Sequence, residues 1–296
     1  MPSRKEQSVP SLRARLLGQR LRALREDRGL TLRYVSGYLG VDFNAARLLE
    51  YGQWMAHYTQ ILSLLDLYGV YEHGEREFLV QLARDAFRLP AWEGDFNAPE
   101  LDVSTLDSLW LESRAERIRC YDAVLVPDLL RTPEYAEAVV QRVYAPRASE
   151  PVLAWRSGMC GRRQREVFDR QPPVEMRAMV AEAALLRSVG APDAVWQAQL
   201  EHLGNCGDGG SVQLRVLPTA AGYVPGMDGS FTVFDLPQAF VPAVACSPHL
   251  DSVAVHEGDA GQWYAEAFDR LWEAALPGGT SARLITGLVA DMTAVR

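Results

Sequence analysis

Two groups of side chains in the sequence have the types and spacing that chemistry needs. The first runs from Arg28 to Gln53. Arginine can donate two hydrogen bonds to a guanine edge, and asparagine or glutamine can pair with adenine. Asn44, Arg47 and, less directly, Gln53 are therefore candidates for reading bases. Arg28, Arg33 and the helix end at Thr31 offer cationic groups and backbone N–H donors of the kind that hold phosphate. The second group is Asp128, Arg131, Cys246, Ser247 and His249. Asp128 and Arg131 lie three apart and, on a helix, would pair with each other. The other reading makes them part of a pocket shaped for a ligand. Cys246 with His249 suggests a nucleophile and its base. No oxyanion donor or third member is identifiable around them, and His256 lies further on.

The first group needs a rigid frame, and the residues around it provide one. From Leu12 the apolar positions Leu16, Leu17, Leu21 and Leu24 recur at helical spacing, and Gly29 ends the run. Thr31 can cap a second short helix that closes by Leu39, and Gly40-Val41 makes a tight turn. Asp42 can cap a third helix over 43–51 with Ala46 and Leu49 facing inward. A fourth helix is expected near 58–68 and a fifth over 75–87. Two short helices around a glycine turn, held inside three others, make a helix-turn-helix unit.

The run Leu30-Thr31, Val35, Leu39-Gly40-Val41, Leu49-Glu50 and Gly52 resembles the XRE, or lambda-repressor-like, regulators. Further on, Tyr121-Asp122-Ala123-Val124-Leu125-Val126-Pro127-Asp128-Leu129-Leu130-Arg131-Thr132-Pro133-Glu134-Tyr135-Ala136 is similar to a signature of bacterial XRE-type regulators that share a poorly characterised C-terminal domain. Arg162-Arg163-Gln164, Glu182 to Arg187 and Gly229 to Val233 continue the likeness. The resemblance implies transcriptional control, often of morphological or secondary-metabolite programmes, on double-stranded operator DNA.

The sequence departs from that pattern where function would lie. Ala45 and Leu48 stand where such regulators usually carry Lys or Thr and Arg, and 42–51 holds one basic residue against two acidic ones. Asp128 and Arg131 replace a usual glycine and glutamine. Three readings follow: a regulator of unusual specificity; a biosynthetic enzyme recruited from the family, with a helix-turn-helix kept as scaffold and an active pocket in the C-terminal domain; or a protein–protein module, such as an anti-regulator, that keeps the helix-turn-helix only as packing.

The 296 residues suit two domains, and 48% apolar with 23% charged residues permits a core and excludes disorder as the default. Net charge is −8, which argues against nucleic acid until its distribution is considered. Residues 1–50 carry ten basic against five acidic side chains, the remainder twenty against thirty-three. A basic head on an acidic body is expected where only the head meets phosphate. No apolar run suits a bilayer, and residues 1–15 carry no secretory h-region, so a cytoplasmic location is expected. Four scattered cysteines without CxxC spacing point to free thiols and to no metal, and no organic cofactor is implied.

The expected architecture is multi-domain. An all-α five-helix helix-turn-helix domain occupies 12–88, a linker 89–104, and an α+β domain with a small antiparallel sheet 105–296. That last domain would sense a small-molecule ligand or supply a homodimer contact. Within it, 106–120 and 176–187 read as helices, and Glu112, Arg114, Glu116 and Arg119 as a solvated charge ladder.

Overall fold

The computed structural model describes residues 10–87, 101–206, 210–237, 243–248 and 252–294. Two compact units emerge: residues up to 87 with 101–107, and residues 108–294.

The first unit is built on five helices: α1 (Leu12–Asp27), α2 (Leu32–Leu39), α3 (Phe43–Glu50), α4 (Tyr58–Leu67) and α5 (His73–Phe87). Leu12, Leu16, Leu17, Leu21 and Leu24 form the buried stripe of α1. They meet Val35, Leu49, Ile61, Leu64, Leu65, Leu79 and Leu82 in the core. Ser11, Thr31 and Asp42 cap α1, α2 and α3 by accepting the N–H of Ala14, Tyr34 and Ala45. Each cap satisfies a donor that a helix start leaves unpaired. A buried ion pair closes the unit: Arg13 donates to Asp107 at 3.0 Å, and Asp107 also accepts the Leu12 N–H at 2.7 Å.

The second unit begins within α6 (Val103–Arg114). It then contains β1 (Arg117–Asp122), α7 (Pro133–Tyr144), α8 (Glu150–Phe168), β2 (Glu175–Ala181), α9 (Asp193–Gly204), β3 (Val212–Leu217), β4 (Phe231–Asp235), β5 (Val244–Pro248), β6 (Val253–His256), α10 (Gly258–Ala274) and α11 (Gly278–Ala294). The strands form one sheet in the order β3-β2-β1-β4-β5-β6. The α+β class stands, but the sheet is six-stranded and mixed rather than small and antiparallel. β1, β2 and β3 run parallel, while β4, β5 and β6 are antiparallel neighbours. Parallel neighbours need a long crossover. Helices α7 and α8 make the first, and α9 the second.

Residues 106–120 and 176–187 are therefore not single helices. Each contains a central strand, and β1 is buried from Ile118 to Tyr121. Tyr121, Met179, Phe231, Val233 and Ala245 share one face of the sheet, where α10 covers them with Ala265, Phe268 and Leu271. On the other face Cys120, Thr232 and Cys246 fall in one row. Helix α11 packs against α9 and β3.

Candidate nucleic-acid interface

The turn between α2 and α3 depends on Gly40, whose φ of +67° lies in the left-handed region. Helix α3 is fixed from beneath. Arg25 of α1 donates to Glu50 through Nε at 2.6 Å and Nη2 at 3.0 Å, and its Nη1 reaches the Leu30 carbonyl at 2.9 Å. Glu50 keeps only 8% of its surface exposed, so this bidentate pair is largely shielded from water. Gly18 permits the contact between the helices, because an added Cβ would stand 2.6 Å from the Leu49 carbonyl oxygen. With Ala46, Leu49 and Glu50 buried, α3 presents Phe43, Asn44, Arg47 and, at its C-cap, Tyr51.

The exposed residues of α3 also organise one another. Arg47 Nη2 donates to Asn44 Oδ1 at 3.0 Å, and its guanidinium carbon lies 5.9 Å from the Tyr51 ring centroid. Gln53 is exposed, and its N–H closes the end of α3 on the Leu48 carbonyl at 2.8 Å. Thr31 serves α2 as its cap. Arg33 is exposed on α2, beside exposed Tyr34 and Tyr38. Arg28 sends Nη2 toward the Gly69 carbonyl at 3.4 Å.

Much of the basic excess of residues 1–50 is engaged within the first unit. Besides Arg13 and Arg25, Arg20 donates to Glu75 at 2.7 Å and Arg22 to Glu26 at 2.9 Å. Arg15 hydrogen-bonds the Pro10 carbonyl. The count of arginines thus overstates the cationic surface, and the outward residues of α2 and α3 carry a larger share of it than composition suggests.

In the second unit Asp128 and Arg131 do meet, at 2.6 Å, but as members of a larger cluster. Asp128 opens a single 3-10 turn, Asp128–Leu130, after β1. Its other oxygen accepts from Arg163 of α8 at 2.9 Å, and Arg163 grips Glu112 of α6 with two bonds of 2.8 and 2.7 Å. Burial acts to raise the Asp128 carboxyl, but Arg131 and Arg163 outweigh it and hold it down to about 2. Cys160 donates its S–H to the Asp128 carbonyl, and burial pushes that thiol up. Of the charge ladder expected to be solvated, Arg114 and Glu116 are exposed, whereas Glu112 and Arg119 are buried in ion pairs.

Cys246 and Ser247 do not combine into one site, because adjacent residues of a strand face opposite sides of the sheet. Cys246 is buried in the row with Cys120 and Thr232. Ser247 points to the α10 side, where its Oγ lies 2.9 Å from His256 Nε2. His256 in turn stacks 4.6 Å from Tyr264 of α10. His249 lies outside the described residues. The Ser247–His256 contact joins two strands across a hairpin, and the spacing of nine in sequence gave no signal for it. Among the described residues no group of three or more His, Cys, Asp or Glu could hold a metal, and no helix is long and apolar enough to cross a membrane.

A family model described as a helix-turn-helix domain matches residues 16–79, which contain α2, the Gly40 turn and α3. A second, described as a domain of unknown function, matches residues 106–287 and so spans the whole sheet. No curated protein and no solved structure matches the chain. The chain carries an XRE-like helix-turn-helix at its N-terminus, and over more than half its length it belongs to the DUF5753 family.

Proposed function

We propose that the protein is a DNA-binding transcriptional regulator. The observation that supports this most directly is the outward row of α3: Asn44 and Arg47 are exposed, linked by a 3.0 Å hydrogen bond, and backed by the buried Arg25–Glu50 pair. A helix offered to the major groove reads bases with residues near its N-terminal end. Asn44 and Arg47 occupy the second and fifth positions of α3. Arg28, Arg33 and the α2 end at Thr31 supply the phosphate contacts in this reading, and Gln53 flanks the base-reading row.

The acidic C-terminal domain has a ligand-sensing or dimerisation role in this proposal. A homodimer would place two recognition helices on a near-palindromic operator, which offsets a thin reading surface by doubling it. The setting is cytoplasmic.

Selection of the full chain on a pool of random duplexes at about 150 mM salt tests the reading, since non-specific phosphate binding is weakened there. The expected result is an enriched motif that vanishes in the double variant Asn44→Ala, Arg47→Ala. Absence of enrichment, together with absence of duplex binding at low salt, would refute it.

A further inference from the structure

The face of α3 that carries Asn44 and Arg47 also carries two large aromatic side chains. Phe43 and Tyr51 keep 51% and 52% of their surface exposed. At helical spacing Phe43, Asn44, Arg47 and Tyr51 fall within about 100° of arc, while Ala46, Leu49 and Glu50 take the buried side. An exposed phenylalanine gains where binding covers it, because its apolar area then leaves water. Phe43 is the first residue of α3, directly after the Asp42 cap, at the end of a recognition helix that approaches base edges.

The chemistry beside Phe43 narrows what can cover it. Arg47 is cationic and offers donors, and Asn44 adds amide donors while its Oδ1 accepts from Arg47. Donors suit guanine O6 and N7 and thymine O4. An apolar side chain next to them suits the apolar feature that a base pair shows in the major groove, the C5-methyl of thymine. Tyr34 and Tyr38 on α2 fit the same occupant, since tyrosine hydroxyls can donate to the phosphates that the first helix of such a pair crosses.

The geometry points to thymine as the base read by Phe43, with its ring packed on the C5-methyl beside the guanine that Arg47 contacts. This specificity rests on the DNA-binding reading above. It makes the row a reader of guanine–thymine steps, in which shape and a methyl group take the place of the Lys and Arg contacts that Ala45 and Leu48 cannot make.

The test uses the duplex that the selection enriches, with each thymine replaced in turn by uracil. That change deletes the methyl group and leaves base pairing intact. The wild-type chain should lose about fourfold in affinity at one position per half-site, the scale of one buried methyl. Phe43→Ala should bind the thymine duplex more weakly and show no difference between thymine and uracil there. If no duplex is enriched and none is bound at low salt, the DNA reading and this inference fall together; if duplexes are bound at low salt but none is enriched, this inference falls alone. If a duplex is enriched but uracil is neutral at every position, this inference falls alone. A uracil penalty of the same size in Phe43→Ala also overturns it, because another side chain would then hold the methyl.

Discussion

Arg47 and Arg163 show how the two units use the same side chain. On α3, Arg47 keeps its guanidinium at the surface, bonded to Asn44 and flanked by a tyrosine ring. In the C-terminal unit Arg163 directs its guanidinium at Glu112 and Asp128. The first arrangement leaves donors facing outward over a buried support. The second turns charge inward, where it fastens α6, α8 and the segment after β1 together. The position of outward donors, more than the number of charges, therefore marks a surface that can recognise something.

Removing Glu112 should give the largest effect and separates the two uses most sharply. Glu112→Ala leaves Arg163 with Asp128 as its carboxylate, and breaking a buried pair costs about 3 kcal/mol or more. Arg47→Ala, at an exposed position, should change stability by less than about 0.5 kcal/mol while abolishing motif enrichment. Urea denaturation of the full chain measures both. Equal stability losses for the two variants would erase the contrast.

The next effect tests the support beneath α3. Gly18→Ala forces a Cβ against the Leu49 and Glu50 backbone, and overpacking of this kind costs about 1–3 kcal/mol. It touches none of the exposed row, yet it should reduce duplex selectivity together with thermal stability. Selectivity that survives a full loss of this size would mean that the support does not position the row. A smaller change comes from the cap. Asp42→Ala removes the acceptor for the Ala45 N–H and should destabilise by about 1 kcal/mol, with Asp42→Ser recovering most of it.

The first unit was legible in the sequence because its signals are local. Each helix there has its own apolar stripe, and the capping residues Thr31 and Asp42 stand directly before the helices they start. The sheet was half hidden for a physical reason. Its central strands β1 and β2 are buried over most of their length, so the alternation that opens each of them, Arg117 to Cys120 and Glu175 to Ala178, breaks off after four residues. β1 further disguises itself by burying Arg119, which a strand neighbour, Asp235, and a helix residue, Asp269, jointly neutralise. Met176, Ala178 and Met179 favour helix locally, and tertiary pairing overrides them. The Asp128–Arg131 pair was visible from spacing, but Arg163 reaches it from 35 residues away and in turn holds Glu112 from 51 residues away, beyond any periodic pattern.

The smallest expected effect compares the units by their response to acid. Asp128 is held down to about 2 against burial by Arg131 and Arg163, below the roughly 3.9 of an unfolded aspartate. Its stabilisation is therefore fully present above about pH 4 and is lost as pH falls through about 2. Asp128 keeps 45% side-chain exposure, so water screens the cluster and the effect is modest. Asp107 in the first unit is shifted the other way, raised by burial that the Leu12 N–H and Arg13 only partly offset. A raised carboxyl favours the folded state most below its unfolded value and loses that advantage as pH climbs through its folded one. The stability difference between wild type and Asp128→Asn should thus grow from about pH 2 to pH 4, while that between wild type and Asp107→Asn should shrink as pH rises from about 4. Differences, rather than whole curves, are the right readout, because Asp122 and Glu166 are also raised by burial within the C-terminal unit. Slopes of the same sign for both variants would show that the inward cluster and the buried pair are not the opposites that their surroundings make them.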